Sequence, residues 1–236
     1  MNENKKKFLD LVDLTEKYVK QQIDLGFDEL HKERKPETKS EVEPETQQIT
    51  LKEFHEKIKN CTECHLHKAR TNFVFGTGKD DADIMFIGEA PGREEDLKGE
   101  PFVGEAGKLL NKILAAVNFK REEVYIGNVL KCRPPENREP LPEEIETCEP
   151  YLLKQIAIIK PKIICALGRI SAQALLKTKL PLNKLRGRFH DYHGRKLLVT
   201  YHPAALLRYP QYKKDTWEDI QLLRKEYDKM ISPQDL

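Results

Sequence analysis

Four cysteines and a row of polar residues at the ends of apolar runs carry the chemistry-bearing pattern of this chain. Cys61 and Cys64 form a C-x-x-C pair, and Cys132 and Cys148 form a wider pair with fifteen residues between them. Four thiolates satisfy either a tetrahedral zinc ion or a [4Fe–4S] cluster. Zinc ribbons pair two tight knuckles, so the wide second spacing favours iron–sulfur, while His65 and His67 are nitrogen donors that keep zinc open. Ordinary buried thiols are the plainest alternative. They fit poorly with Thr62, Glu63 and His65 around the first pair and Arg133-Pro134-Pro135 after Cys132, which are loop contexts. The opening MNENKKKFLD lacks the apolar run and cleavage site of a signal peptide, so structural disulfides are disfavoured. Cys165, inside the apolar run IICALG, reads as a small core hydrophobe.

The elements that must position these groups alternate in type. Short apolar runs at 83–89, 124–130, 161–168 and 196–202 read as buried strands, separated by helical stretches at 104–118, 142–159 and 171–178, with a last helix from about 214 to 230. This alternation predicts an α/β fold, a three-layer αβα sandwich around a central, mainly parallel four-stranded sheet. Ligands of such sheets bind beyond the carboxyl ends of the strands. Those ends read Gly88-Glu89-Ala90-Pro91-Gly92, Asn128, Gly168 and His202-Pro203, which places glycines, an amide, a carboxylate and an imidazole on one rim.

Composition bounds the rest. The 236 residues are 34% charged, above the usual globular share of about 25%, so part of the chain does not build a core. Residues 1–30 space Phe8, Leu11, Val12, Tyr18, Val19 and Ile23 along one helical face, and 31–48 are almost without apolar residues. The expected organisation is a helical extension (1–30) available to a protein partner, a flexible linker (31–48) and a catalytic domain (49–236). The net charge of +2 hides a division: residues 1–50 carry −3 and the remainder +5. Residues 177–214 hold ten Lys or Arg and one acid, a solvated face or a phosphate-contacting surface. No apolar stretch approaches the length of a membrane span. The expectation is a cytoplasmic monomer with no membrane association.

GEAPGREEDLKGEPFVGEAGKLL (88–110), NVLKCRPPENREPLPEEIETCEPYL (128–152), ALG (166–168) and YHPAALLR (201–208) resemble, in order, the motifs of the family 4 uracil-DNA glycosylases, the iron–sulfur members of their superfamily. The resemblance covers about 50–230. It implies a [4Fe–4S] cluster on Cys61, Cys64, Cys132 and Cys148, and uracil-containing DNA as partner and substrate. It further implies a flipped base stacked on Phe102 and read by Asn128, with the Gly88 and Ala90 backbone close to it. His202 is then the donor to the uracil O2 as negative charge develops. The segment 204–208 would enter the minor groove with Leu206 or Leu207 as the wedge and Arg208 on phosphate. Ala90 occupies the position where the fastest superfamily members carry a water-orienting aspartate, so water positioning passes to Glu89 or to Glu95, which matches a pocket position. The basic stretch, including Arg186 and Arg188, becomes DNA-facing, and the cluster would hold Lys131, Arg133 and Arg138 against DNA. No lysine is placed as a Schiff-base nucleophile, which implies a monofunctional hydrolase that leaves an abasic site. The rival reading is a non-catalytic or redox-active iron–sulfur module that binds nucleic acid. It would not need Phe102, Asn128 and His202 together.

Overall fold

The computed structural model describes residues 49–232, so the expected helical extension and linker lie outside the described residues. The runs IMFIG, YIGN, IICAL and RKLLVT form strands because apolar side chains on both faces leave little polar face to expose. They are β2 (Ile84–Gly88), β3 (Tyr125–Asn128), β4 (Ile163–Leu167) and β6 (Arg195–Thr200). All four pair in parallel, in the order β3-β2-β4-β6.

The expected four-stranded sheet has six strands among the described residues. A two-residue strand β1 (Thr77–Gly78) and β5 (Phe189–Tyr192) cap the two edges, both antiparallel. Strand β5 joins β6 through a two-residue turn, His193-Gly194, in which both residues have positive φ (51° and 76°). That is the turn geometry whose twist matches a hairpin. The period-2 pattern of FHDY carries too few apolar residues to stand out as a strand.

Helices cover both faces. On one side lie α1 (Leu51–Ile58), α4 (Pro142–Ile159), α5 (Arg169–Leu176) and α6 (Leu182–Leu185). They pack on Met85, Ile87, Ile164, Ala166, Leu197 and Val199. On the other side lie α3 (Glu105–Ala116) and α8 (Tyr212–Ile231), packed on Ile84, Phe86, Ile163, Cys165, Leu167 and Leu198. The alternation of neighbouring residues between two apolar clusters is the period of a strand buried on both faces. Cys165 sits fully buried in the second cluster, as a core hydrophobe. Two short helices, α2 (Arg93–Lys98) and α7 (Pro203–Arg208), follow β2 and β6 and flank the carboxyl rim.

The crossover from β2 to α3 is fixed by a close approach. A Cβ on Gly107 would stand 1.9 Å from the carbonyl oxygen of Phe102, and Phe102 itself has φ of 53°, a left-handed conformation costly for an aromatic residue. Gly107→Ala is therefore expected to destabilise the protein by about 1–3 kcal/mol through overpacking. Equilibrium denaturant unfolding measures this, and an unchanged midpoint would contradict the tight contact.

Candidate active site

The parallel register brings the strand ends level: Gly88 pairs with Asn128, and Leu167 with Thr200 two residues before His202. Beyond them opens a cleft of about 450 Å³, lined by Glu89, Ala90, Gly92, Glu95, Phe102, Asn128 and His202 on its inner side. Pro134, Asn137, Arg138, Glu139, Arg208 and Tyr209 line its outer side.

Gly88 sets the inner geometry. A Cβ there would lie 2.4 Å from Asn128 Oδ1 and 2.7 Å from the Phe102 ring, so the amide and the aromatic ring occupy space that only glycine leaves free. Asn128 is 2% exposed, and its Oδ1 has no hydrogen-bond partner. A buried acceptor left unpaired costs about 1–3 kcal/mol. A donor from a bound ligand would remove that cost. The Phe102 ring lies 5.3 Å from the His202 ring, centroid to centroid, inclined by 32°.

His202 caps α7, where its Nδ1 accepts the Ala204 N–H at 3.1 Å. The neutral ring must then carry its proton on Nε2, as a donor. Gly168, with φ of 97°, makes room for it, since a Cβ there would meet the His202 Cβ at 3.0 Å. Burial pushes the imidazole down to about 4, with Glu95 opposing and Arg208 assisting. The site therefore presents a neutral imidazole donor at physiological pH.

The two carboxylates divide their work. Glu95 Oε1 accepts the Val103 and Gly104 N–H groups at 2.9 and 3.0 Å, which fixes the turn that presents Phe102. Glu89 faces the cleft. Burial raises its pKa, Glu139 adds to the rise and Arg169 counters it. Arg169 pairs with Glu139.

Behind this wall the cysteines share one shell. Leu66, Leu130, Cys132 and Cys148 form a buried cluster, with Cys64, Tyr151 and Ala90 packed against it, so Ala90 faces both cleft and cysteines. Three of the four sulfurs accept a hydrogen bond from elsewhere in the fold: Cys61 from Tyr151 Oη at 3.1 Å, Cys132 from Arg70 at 3.1 Å, and Cys148 from the Lys131 N–H at 3.3 Å. The Leu66 N–H serves Cys64. Among the described residues no three His, Cys, Asp or Glu side chains stand close enough to hold a single metal ion.

Glu144, with a fully buried side chain, ties this region to the cleft. Its carboxylate accepts two hydrogen bonds from Arg138 (2.6 and 2.9 Å) and one from the Leu141 N–H at 2.7 Å, and it contacts His65 Nε2 at 2.9 Å. Burial opposes its charge, but these partners hold its carboxyl below the usual range.

The structure brings Gly88, Glu89, Ala90, Glu95, Phe102, Asn128, His202 and Arg208 together around one cleft. Other expected residues lie differently. Leu206 is 1% exposed and packs inward, whereas Leu207 is 48% exposed, so of the two only Leu207 stands at the surface. The Arg186 guanidinium is spent on Asp219 at 2.9 and 3.0 Å, while Arg188 is exposed. Lys131 is fully buried and cannot meet DNA, a correction with a clear cause: it lies on the short path between Asn128 and Cys132. Sequence reasoning also missed Glu144 and Glu139. Glu144 had a signal, since Leu141-Pro142 followed by Glu144 is a helix start.

The family model of the uracil DNA glycosylase superfamily matches residues 75–221. A type-4 uracil-DNA glycosylase of Archaeoglobus fulgidus is 46% identical over 179 residues, 72% of this chain and 90% of that protein. One from Pyrobaculum aerophilum is 46% identical over 182 residues, 73% of this chain and 92% of that protein. One from Thermotoga maritima is 47% identical over 165 residues, 69% of this chain and 86% of that protein.

The protonation state of His202 is directly measurable. Nitrogen-15 NMR of the imidazoles is expected to show the Nε2–H tautomer near neutral pH and a midpoint near 4. Because the unfolded ring titrates near 6.5, the unfolded state takes up the proton first. His202 therefore lowers stability progressively as pH falls from about 6.5 towards 4. A midpoint above physiological pH would remove the neutral donor.

Proposed function

As a member of the uracil-DNA glycosylase superfamily that groups with its type-4 enzymes, this chain is a uracil-DNA glycosylase of DNA repair, and we propose that the cleft described above is where it hydrolyses the N-glycosyl bond. The observation that carries the assignment is the unpaired, buried Oδ1 of Asn128 beside an aromatic face and a neutral histidine donor. A uracil flipped out of the stack presents an N3–H donor and an O4 acceptor on the edge that one amide can read. Asn128 Oδ1 takes the N3–H and its Nδ2 gives to O4. The Phe102 ring covers one face of the base.

As the bond to the sugar stretches, positive charge grows on the deoxyribose and negative charge on the departing uracil. His202 Nε2–H meets the O2 where that negative charge collects, and such a donor is worth on the order of 100–1,000-fold in rate. A neutral imidazole suits this task, since it is already a donor and gives up no proton before the bond breaks. With alanine at position 90, Glu89 is the carboxylate left at the cleft to orient water toward the sugar, and Glu95 shapes the pocket through the turn before α3. Lys131, three residues from Asn128, is spent on other partners, and no lysine among the described residues lines the cleft, which supports hydrolysis without a Schiff base and without strand cleavage. Exposed Leu207 is the proposed wedge into the base stack, with Arg208 and Arg188 on phosphates and the enzyme acting as a monomer. A partner role for residues 1–30 rests on their apolar spacing alone.

The four cysteines suit a [4Fe–4S] cluster. Each sulfur has a hydrogen-bond donor, which would stabilise a ligand thiolate, and a four-iron cluster spreads its sulfurs wider than a single ion does. When bound, such a cluster would supply cross-links among the 61–64 turn, the 132–141 loop and α4; base hydrolysis itself moves no electron.

The test is an alkali-cleavage gel assay on an oligonucleotide with one uracil. Asn128→Ala and His202→Ala are each expected to lose about 100-fold or more in rate, with uracil-free oligonucleotide uncut throughout. Wild-type rates in both variants would refute the pocket. Iron analysis is expected to give roughly four irons per chain, falling in Cys148→Ser together with thermal stability. One zinc and no iron would replace the cluster assignment.

A further inference from the structure

Lys131 is a fully buried lysine with no carboxylate among its hydrogen-bond partners. Its ammonium donates to the backbone carbonyl oxygen of Asn128 at 2.8 Å and to Gln155 Oε1 at 2.6 Å. Gln155, also fully buried, is itself oriented, because its Nε2 donates to the Phe75 carbonyl at 2.9 Å and to Tyr125 Oη at 3.0 Å. With both amide hydrogens committed, Gln155 can only present oxygen to the lysine. The main chain of Lys131 is held separately. Its N–H donates to Cys148 Sγ at 3.3 Å, and its carbonyl accepts the Val74 N–H at 2.8 Å.

One residue thus touches the cysteine shell with its main chain and the strand end that bears Asn128 with its side chain. Burying an ammonium costs several kcal/mol; Cys148 and Cys132 nearby favour its charge, and of its two acceptors one is Gln155 and the other is the strand end that bears Asn128. Asn128 is the last residue of β3, it lines the cleft, and its Oδ1 has no hydrogen-bond partner. Whatever fixes its backbone fixes the Cα–Cβ direction from which its amide reaches the cleft.

We propose that Lys131 is a positioning residue for base recognition, holding the Asn128 backbone in the orientation that reads uracil and linking that orientation to the cysteine centre. The proposal rests on Asn128 being the reader. It separates two roles of one position: the main-chain contact to Cys148 survives a change of side chain, and the hold on Asn128 does not.

The test uses the full chain, purified with its iron, as wild type, Lys131→Met, Asn128→Ala and the double variant. Lys131→Met is expected to keep its iron absorbance and its affinity for uracil-free duplex within about twofold. It should lose about tenfold in kcat/KM on uracil-containing DNA, with a parallel loss in inhibition by free uracil. The double variant should be no slower than Asn128→Ala within about twofold, because both changes act through one amide. Losses that multiply, a wild-type rate in Lys131→Met, or a loss that follows iron content alone each overturn the proposal. An Asn128→Ala that cleaves normally instead overturns the reading beneath it, and this proposal with it. Should Lys131→Met fail to fold, Gln155→Leu carries the same test by removing the second support of the ammonium, with a smaller loss of about threefold and the same absence of multiplication.

Discussion

The space that Gly88 leaves empty governs the cleft. Asn128 Oδ1 and the Phe102 ring both press into the volume that one methyl group would fill. The amide arrives there from the neighbouring strand, through a parallel register that sets Gly88 opposite Asn128. The ring arrives by a different route, along the chain through α2 and a turn that forces Phe102 into positive φ. Two side chains from separate elements meet at one glycine only if both routes are held. That explains the fixed contacts found along them: Glu95 on the Val103 and Gly104 N–H groups, Gly107 beneath the Phe102 carbonyl, and Lys131 under Asn128.

The charge pattern around the cleft follows from the same need. The inner wall offers an amide, an aromatic ring and an uncharged imidazole, neutral groups of the kind the proposed recognition of a neutral pyrimidine uses. Three formal charges lining the cleft are compensated, Glu95 by backbone N–H groups, Glu139 by Arg169 and Arg138 by Glu144, whereas Glu89 faces the cleft with its charge disfavoured by burial. Buried and compensated charges such as the Arg138–Glu144 pair add little net stability but fix geometry, because removing either partner strands the other. Here that geometry ties the outer wall of the cleft to α4 and to the first cysteine turn through His65.

Much of this was legible in the sequence, and the rest was hidden for identifiable reasons. The four parallel strands and the residues at their ends follow from apolar runs broken by Gly, Asn and His-Pro, since strands buried on both faces leave continuous hydrophobic signatures. The edge strands were not legible. Thr77–Gly78 is too short for any pattern, and FHDY is half polar because an edge strand exposes one face. Membership of the cleft could be read from motif order, but side-chain direction could not. Leu206 and Leu207 are adjacent on a short helix, and only packing decides that the first turns inward. Arg186 looked like one more cation in a basic run until the fold carried Asp219, thirty-three residues later, alongside it. Lys131 was the hardest, because a lysine between Leu130 and Cys132 reads as a solvent-exposed charge, and its burial depends on Gln155 from a helix remote in sequence.

The shared wall at Ala90 explains how a site without an aspartate at that position can be built. Ala90 contacts the cysteine shell on one side and lines the cleft on the other. A carboxylate in its place would project its charge either into the buried cysteine shell, which desolvates it, or into the cleft proposed to hold the base. A small apolar residue avoids both, and one residue back Glu89 faces the cleft, in the water-orienting role proposed for it. That carboxyl has a raised proton affinity, since burial disfavours its charge and Glu139 repels it. A carboxylate that is reluctant to ionise is a better base for water once it has ionised, and Arg169, at the start of α5, is placed to favour the charged form. The cysteine shell and the carboxylate at position 89 are in this way one arrangement: the first restricts what position 90 can hold, and the second is left as the neighbouring carboxylate on the cleft.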